Sequence, residues 1–397
     1  MGLHTDEDKQ MTRLILLNIV DSYRGLDAVG GVRLYPTREQ IGSMERDLLW
    51  LPSGLENQAD YMRGHYKTVV GLPTSDHLLF TDDWRDLRLS DYDIDLSLVQ
   101  PHPFIMNESM RQWLHDNIGK QSLGFDKWSR SAQRFESKRN FIRLCKGLRI
   151  RVPETLFMED VHARDIFEGN DESLLFKLDR SASGLGMMAV SNERELGHAR
   201  VATQYRDFLL QKKVRLALEL GVQINLSEGL VPRIIAITGQ HVGVNNDHMG
   251  NYHPYTARTQ VKINEVALKH DLMRLCFVMH HAGMRGRVGV DVLVSPDGEY
   301  YLSEVNARRT GATPYIDAAN RLGVSSWSSM SLPTTARCVT DLDLNTNKLI
   351  YRPGRDEGLL LINWGPICEG KVGVMFIGSP DKWERLEHEA RSWLESN

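Results

Sequence analysis

The stretch that decides the reading is Val288-Gly-Val-Asp-Val-Leu-Val-Ser-Pro-Asp-Gly-Glu-Tyr-Tyr-Leu-Ser-Glu-Val-Asn-Ala-Arg-Arg309. Val288, Val290, Val292 and Val294 alternate with Gly289, Asp291 and Leu293, the two-residue period of a strand. Ser295-Pro-Asp-Gly298 carries turn chemistry, and a second strand is expected from about Glu299 to Val305. A hairpin closed at 295–298 sets residue 291 opposite about residue 302, so Asp291 is expected as a diagonal neighbour of Glu304. Glu304 and Asn306, two apart, share a face. Two carboxylates and an amide oxygen gathered in one place repel unless a cation lies among them. Magnesium takes such oxygens and shares its shell with substrate phosphates. The competing reading is a surface hairpin with chance acidic residues.

Working outward, the 397 residues suggest two or three domains, and 41% hydrophobic with 25% charged residues is ordinary for a chain that buries a core. A net charge of −4 points to neither a nucleic-acid nor a membrane partner. Cys145, Cys276, Cys338 and Cys368 have no metal-type spacing and read as reduced thiols, which suits a cytoplasmic location. No stretch reaches the ~20 apolar residues of a membrane span, and the opening residues, Met1-Gly-Leu-His-Thr-Asp-Glu-Asp8, carry no signal pattern.

Upstream, Leu14–Val20, Asp47–Leu51 and Leu78–Phe80 read as strands of a small α/β domain without a glycine-rich dinucleotide fingerprint. The pattern from Phe135 to Leu148 is helical. Strands are expected around Glu154–Met158, at Leu174–Leu178, Met188–Val190 and Phe208–Val214, and as a pair at Gly221–Leu226 and Pro232–Thr238. Glu265–His281 is expected as a helix with Val266, Met273 and Phe277 among its apolar residues. A separate unit from about residue 340 has strands at Leu359–Asn363 and Gly373–Ile377. Its helix, Asp381–Leu394, sets Trp383, Leu386, Ala390 and Trp393 on one face.

Several segments could carry chemistry. Ser181-Ala-Ser-Gly-Leu-Gly186 lies between two strands, where glycines let backbone N–H groups cradle an anion, and Lys177 stands just before it. Lys138 is a second cation; Gln211-Lys-Lys-Val214 could offer backbone groups to a purine. Asn245–Arg258 is dense in hydrogen-bonding groups, long for a connector between a strand and a helix, and holds His248 and His253.

Taken in order, Lys138, Lys177, the Ser183-Gly-Leu-Gly186 loop, Gln211-Lys-Lys-Val214, Asp291, Glu304-Val-Asn306 and Arg308 resemble the ATP-grasp superfamily over about residues 130–320. Within it, the chain resembles the peptide ligases of the pheganomycin type. The resemblance implies an α/β, ATP-grasp fold in three parts. These are a pre-ATP-grasp domain at 1–125, an ATP-grasp domain at 126–335 (lid about 150–212, metal-binding part about 213–335), and a small α/β unit at 336–397. It implies that Lys138, Lys177 and the Ser183, Gly184, Gly186 loop hold the ATP phosphates. Gln211, Lys212 and Val214 would line the adenine, and Glu219 would hold the ribose. Asp291, Glu304 and Asn306 would bind Mg2+ (or Mn2+), and Arg308 would face the transferred phosphate. Two departures stand out: Gln211 occupies a position often held by Glu, and Gly289 one where relatives place an arginine that Arg287 or Arg285 would replace.

The expected chemistry is ATP-dependent joining of a carboxylate to an amine through an acyl-phosphate, with amino acids or peptides as substrates. His248, His253 or a phosphate oxygen would take the amine's proton. A carrier-protein thiol as acceptor and a non-catalytic ATP-binding scaffold are the rival readings; a homodimer is left open.

Overall fold

The computed structural model describes residues 11–21, 30–119, 124–157, 167, 173–181, 186–204, 207–226, 231–243 and 248–396. The chain divides into two compact units, residues 127–312 and the combination of 1–126 with 313–397.

The second of these begins with β1 (Thr12–Leu16), β2 (Leu48–Pro52), β3 (His77–Thr81) and β4 (Val99–Pro103), a parallel sheet in the order β3-β2-β1-β4. The apolar runs expected as buried strands are β1 and β2, with Leu14, Leu16, Leu49 and Leu51 fully buried. The first strand is shorter than expected, because Ile19–Asp21 turns into a single 3-10 turn. β4 escapes the sequence reading: Pro101 and Pro103 argue against a strand, yet it pairs with β1 alone, and prolines are tolerated at a sheet edge. The helices α1 (Glu56–His65) and α2 (Glu108–Ile118) complete this part.

Residues 336–397, expected as a unit of their own, belong to this same compact unit. A segment so short buries little core by itself. Tyr66 donates its hydroxyl to the Leu361 carbonyl at 2.8 Å and Trp364 its indole N–H to Gln40 at 3.2 Å, both buried.

The other unit starts with α3 (Phe125–Phe135) and α4 (Lys138–Gly147). The single helix expected from Phe135 to Leu148 is therefore two, broken at Glu136-Ser137, where Ser137 caps α4 by accepting from the Asn140 N–H. The break sets Lys138 in the first turn of α4.

The strands β5 (Thr155–Leu156), β6 (Leu174–Leu178), β7 (Met187–Val190) and β8 (Phe208–Lys212), with α5 (Glu193–Ala202) between β7 and β8, form an antiparallel sheet in the order β5-β8-β6-β7. Its core stacks Phe176 on Phe208 at 4.5 Å under Leu196 and Ala199 of α5. β8 ends two residues before the expected Val214.

A larger antiparallel sheet follows, from β9 (Leu218–Leu226), β10 (Arg233–Val242), β11 (His248–His253), β12 (Gly286–Val294) and β13 (Tyr300–Asn306), in the order β13-β12-β9-β10-β11. β11 corrects the reading of 245–258 as a connector: His248–His253 pairs with β10. α6 (Glu265–His281) buries Leu268, Leu272, Leu275, Cys276 and Met279, whereas Val266 and Phe277 lie on its exposed side. The apolar residues picked out in the sequence thus fall on both faces.

The chain then returns to the unit of β1–β4 through α7 (Thr313–Leu322), β14 (Trp327–Pro333), β15 (Gly358–Asn363), β16 (Lys371–Ile377) and α8 (Trp383–Glu395). β16 lies between β14 and β15, antiparallel to both. α8 buries Trp383, Leu386, Ala390 and Leu394; Leu394 takes the place expected for Trp393. Among the described residues no helix is long and apolar enough to cross a membrane.

Candidate active site

β12 and β13 meet with Val294 opposite Tyr300, Leu293 opposite Tyr301 and Val292 opposite Leu302, then slip, so that Asp291 pairs with Glu304. Ser303 is the extra residue of a bulge. The diagonal neighbours expected from an uninterrupted ladder are direct partners. Asn306 lies two pairs further along, opposite Gly289, and its amide N–H donates to Asp291 Oδ2 at 3.0 Å. Gln240, on β10, donates to Asp291 Oδ1 at 2.9 Å.

Two lysines face this pair. Lys138 Nζ lies 3.0 Å from Glu304 Oε2 and donates to the Ser181 carbonyl at 3.2 Å. Lys177, buried on β6, donates to the hydroxyl of the bulged Ser303 at 3.3 Å.

The electrostatics follow from burial and from these neighbours. Burial, then the Glu304 charge, pushes the Asp291 carboxyl up to about 7, while Gln240 and Asn306 oppose the rise. For Glu304 the burial penalty is outweighed by Lys138 and Lys177, which hold its carboxyl below the usual range. Burial lowers the Lys177 ammonium despite Glu304 beside it, with Lys138 adding repulsion. Glu219, on β9, is raised by burial, against the pull of Lys177.

Arg308 is buried behind the carboxylates. It donates to Asn306 Oδ1 at 2.8 Å, and its Nε lies 3.6 Å from Glu136 Oε1. Glu136, likewise buried, was not singled out in the sequence. Its signal was available, a carboxylate two residues before Lys138 at the break between α3 and α4. Burial raises its carboxyl, opposed first by Arg308 and then by Lys138. Gln240 was also missed; it lies beyond the strand expected to end at Thr238, which continues to Val242.

The remaining sequence candidates fall as follows. Ser183 and Gly184 lie outside the described residues. Gly186 is described, with a φ of 73°. Gln211 is buried with its amide donating to Thr155 at 3.1 Å, and Lys212 pairs with Glu154 at 2.9 Å, so both side chains are tied within their own sheet. Val214 lies in the segment between β8 and β9. Arg287 stands four residues before Asp291 on the same face of β12. His253 donates its Nδ1–H to the Ile237 carbonyl at 3.0 Å, a tether to the neighbouring strand. His248 Nε2 lies 2.9 Å from Asn251 Oδ1.

The donor set fits a hard divalent cation. Two buried carboxylates stand paired across the strands, and Asn306 lies beside them with its amide N–H on Asp291 and its oxygen on Arg308, so it would ligate a cation on turning that oxygen away from Arg308. Among the described residues no three His, Cys, Asp or Glu side chains form a metal group. A cation held here would complete its shell from Asn306 and phosphate oxygens, the usual habit of magnesium.

The ATP-grasp domain profile matches residues 135–312. No curated protein sequence matches significantly. Among solved structures, the N5-carboxyaminoimidazole synthetase of Staphylococcus aureus, complexed with ADP, is similar at a TM-score of 0.58 and 12% identity, over 97% of this chain and 98% of that one. The biotin carboxylase domain of the Hydrogenobacter thermophilus 2-oxoglutarate carboxylase, with MgADP, ADP and bicarbonate, is similar at 0.59 and 14%, over 97% and 90%. Biotin carboxylase from Campylobacter jejuni is similar at 0.57 and 12%, over 93% and 87%. At such identities the likeness establishes the fold, an α/β architecture shared across nearly the whole chain. Residues 135–312 thus match the ATP-grasp domain family, and the chain has the fold of its solved members.

Proposed function

We propose that the protein is an ATP-dependent carboxylate–amine ligase that forms an amide, with an amino acid or peptide among its substrates. The observation that carries this reading is the facing of Lys138 and Lys177 against Asp291 and Glu304, with Arg308 behind them. Such a set offers a triphosphate both cationic donors and carboxylate ligands for its counter-ion.

In this reading a carboxylate oxygen of the donor attacks the γ-phosphorus of ATP, and the bond from that phosphorus to the ADP oxygen breaks. Lys138 and Lys177 neutralise charge on the phosphoryl oxygens, so catalysis rests on positioning and electrostatics. Asp291, Glu304 and Asn306 would hold Mg2+, which supplies further neutralisation at those oxygens. Arg308, held by Glu136 and Asn306, would face the acyl-phosphate. The amine nitrogen then attacks the acyl carbon, phosphate leaves, and the amine's surplus proton passes to a base. His248 suits this role better than His253, whose Nδ1–H is spent on Ile237. Gln211, Lys212 and Val214 would contribute backbone to the adenine pocket, and Glu219 would reach the ribose. Mn2+ would substitute for Mg2+.

The likeness to pheganomycin-type peptide ligases supports a peptide product. The four free thiols suit a cytoplasmic location. The test is ATP-dependent hydroxamate formation with magnesium and a panel of amino acids and short peptides. Hydroxylamine captures the acyl-phosphate without the natural amine. A magnesium-dependent hydroxamate supports the reading. ATP binding without ADP formation across the panel would favour a non-catalytic role.

A further inference from the structure

A chain of hydrogen bonds runs across the same face of the large sheet as Asp291, from β9 to His248. Thr238 on β10 is fully buried, and its hydroxyl donates to the Gly221 carbonyl at 3.1 Å. A carbonyl can only accept, so the single hydroxyl proton of Thr238 is committed there. Asn251 on β11, also buried, lies with its amide nitrogen 3.2 Å from the same hydroxyl oxygen. Because Thr238 has no second proton to give, it must accept from Asn251, which fixes the amide with Nδ2 toward Thr238 and Oδ1 away. Oδ1 is the atom 2.9 Å from His248 Nε2. An amide oxygen only accepts, so Nε2 carries the imidazole proton and the lone pair of neutral His248 lies on Nδ1.

The surroundings make room for this chain and place its end near the chemistry. A β-carbon at Gly221 would lie 3.2 Å from Gln240 Nε2, 3.4 Å from Thr238 Oγ1 and 3.5 Å from Asn251 Nδ2, so glycine there leaves space for three polar side chains. Gln240, directly opposite Asn251 in the ladder, is the donor to Asp291. At the far end, a β-carbon on Gly311 would lie 3.9 Å from His248 Cε1, which sets the imidazole over the segment that follows Arg308. His241 nearby is held down to about 4 by burial, then by Arg258 and by His248 itself, so this corner does not gather a second imidazolium at neutral pH.

We infer that Asn251 and Thr238 are positioning residues that fix the tautomer of His248, presenting Nδ1 as the nitrogen that takes the proton of the incoming amine. The assignment of a base rests on the ligase reading; the tautomer does not. The amine has formed its bond to the acyl carbon, phosphate has left, and the nitrogen's surplus proton goes to Nδ1, making His248 an imidazolium that later returns it to water.

The test needs no substrate. Nitrogen-15 NMR of full-length protein carrying labelled histidine distinguishes the two tautomers, and the His248 signals are assigned by their loss in His248→Gln. The wild type should carry the proton on Nε2. Asn251→Ala should give a mixture of tautomers, and Thr238→Val, which keeps the shape but removes the hydroxyl, should weaken the preference in the same direction. If Asn251→Ala fails to fold, Thr238→Val decides. A proton on Nδ1 in the wild type, or a preference unchanged in the folded variants, overturns the inference. Failure of the ligase reading would appear elsewhere, as absent ATP-dependent hydroxamate while the Nε2–H tautomer stands.

Discussion

Asp291 and Glu304 face each other directly across β12 and β13 because Ser303 is bulged out of the ladder between them and the turn. The bulge does two things at once. It turns a diagonal contact into a direct one, and it offers the Ser303 hydroxyl to Lys177, tying the two sheets of the ATP-grasp domain together at the site. Glu304 is therefore the counter-charge of two lysines as well as a ligand.

This changes what Glu304→Ala should do. The sequence alone suggests lost turnover with an intact fold, since a ligand rather than core volume is removed. With Lys138 and Lys177 left facing each other without their carboxylate, stability should also fall, by about 3 kcal/mol, the usual cost of breaking a buried pair. ATP turnover should drop at least about 100-fold, as for other lost electrostatic groups. Denaturant unfolding and ADP release check the two parts separately; near-normal turnover would remove the metal assignment.

Asp291 sets a pH dependence. Its carboxyl is raised in the folded state, so the folded protein binds more protons than the unfolded chain between the ordinary carboxylate range and about 7. Stability without magnesium should fall as pH rises through that window, because Asp291 must ionise beside Glu304. Magnesium binds the ionised form, so the gain in Tm on adding it should be larger at pH 8 than at pH 5.5. Thermal melts with EDTA or excess magnesium measure this, and Asp291→Asn should flatten the difference. A gain equal at both pH values would contradict it.

Glu136 is the charged partner of the Arg308 guanidinium, which also donates to Asn306. In Glu136→Gln the guanidinium loses its charged partner while shape is kept. Turnover should fall about 10- to 100-fold, corresponding to about 1.4 to 2.7 kcal/mol of transition-state stabilisation. ATP affinity should stay within about threefold, since Lys138 and Lys177 carry the binding; for one RT unit is about that factor. Isothermal titration against steady-state ADP release separates these effects, and an affinity loss matching the turnover loss would assign Glu136 to nucleotide binding instead.

Gly186 has a φ of 73°, and a β-carbon there would lie 2.4 Å from Leu178 Cδ1. Gly186→Ala should cost about 1 to 2 kcal/mol from the left-handed backbone alone, and repacking of Leu178 adds to it. Urea unfolding should detect the loss; an unchanged midpoint would mean that the chain enters β7 by another path.

The sequence disclosed the parts of this site whose signal is local. The valine alternation of β12, the turn at 295–298 and the spacing of Glu304 and Asn306 needed only periodicity. What it hid depends on distant partners. A one-residue slip at Ser303 leaves no mark on alternation and is accompanied by a lysine 126 positions away in the chain. β11 reads His-Met-Gly-Asn-Tyr-His, polar and glycine-containing, so it resembles a loop until its pairing with β10 is known. The break at Glu136-Ser137 was legible in principle, since serine is a preferred helix cap, but the apolar pattern runs through it. α6 shows the converse: Val266 and Phe277 fit a helical period and still face outward, because periodicity does not say which side meets the sheet.

The most direct measurement is hydroxamate formation by wild type and Lys177→Met in parallel, with ATP, magnesium, hydroxylamine and the panel of amino acids and short peptides, alongside ATP affinity for both. A carboxylate-dependent hydroxamate in the wild type, lost in Lys177→Met, is the expected result. Tight ATP binding with no hydroxamate and no ADP from any donor, identical in both proteins, would contradict the assignment of this site to carboxylate activation.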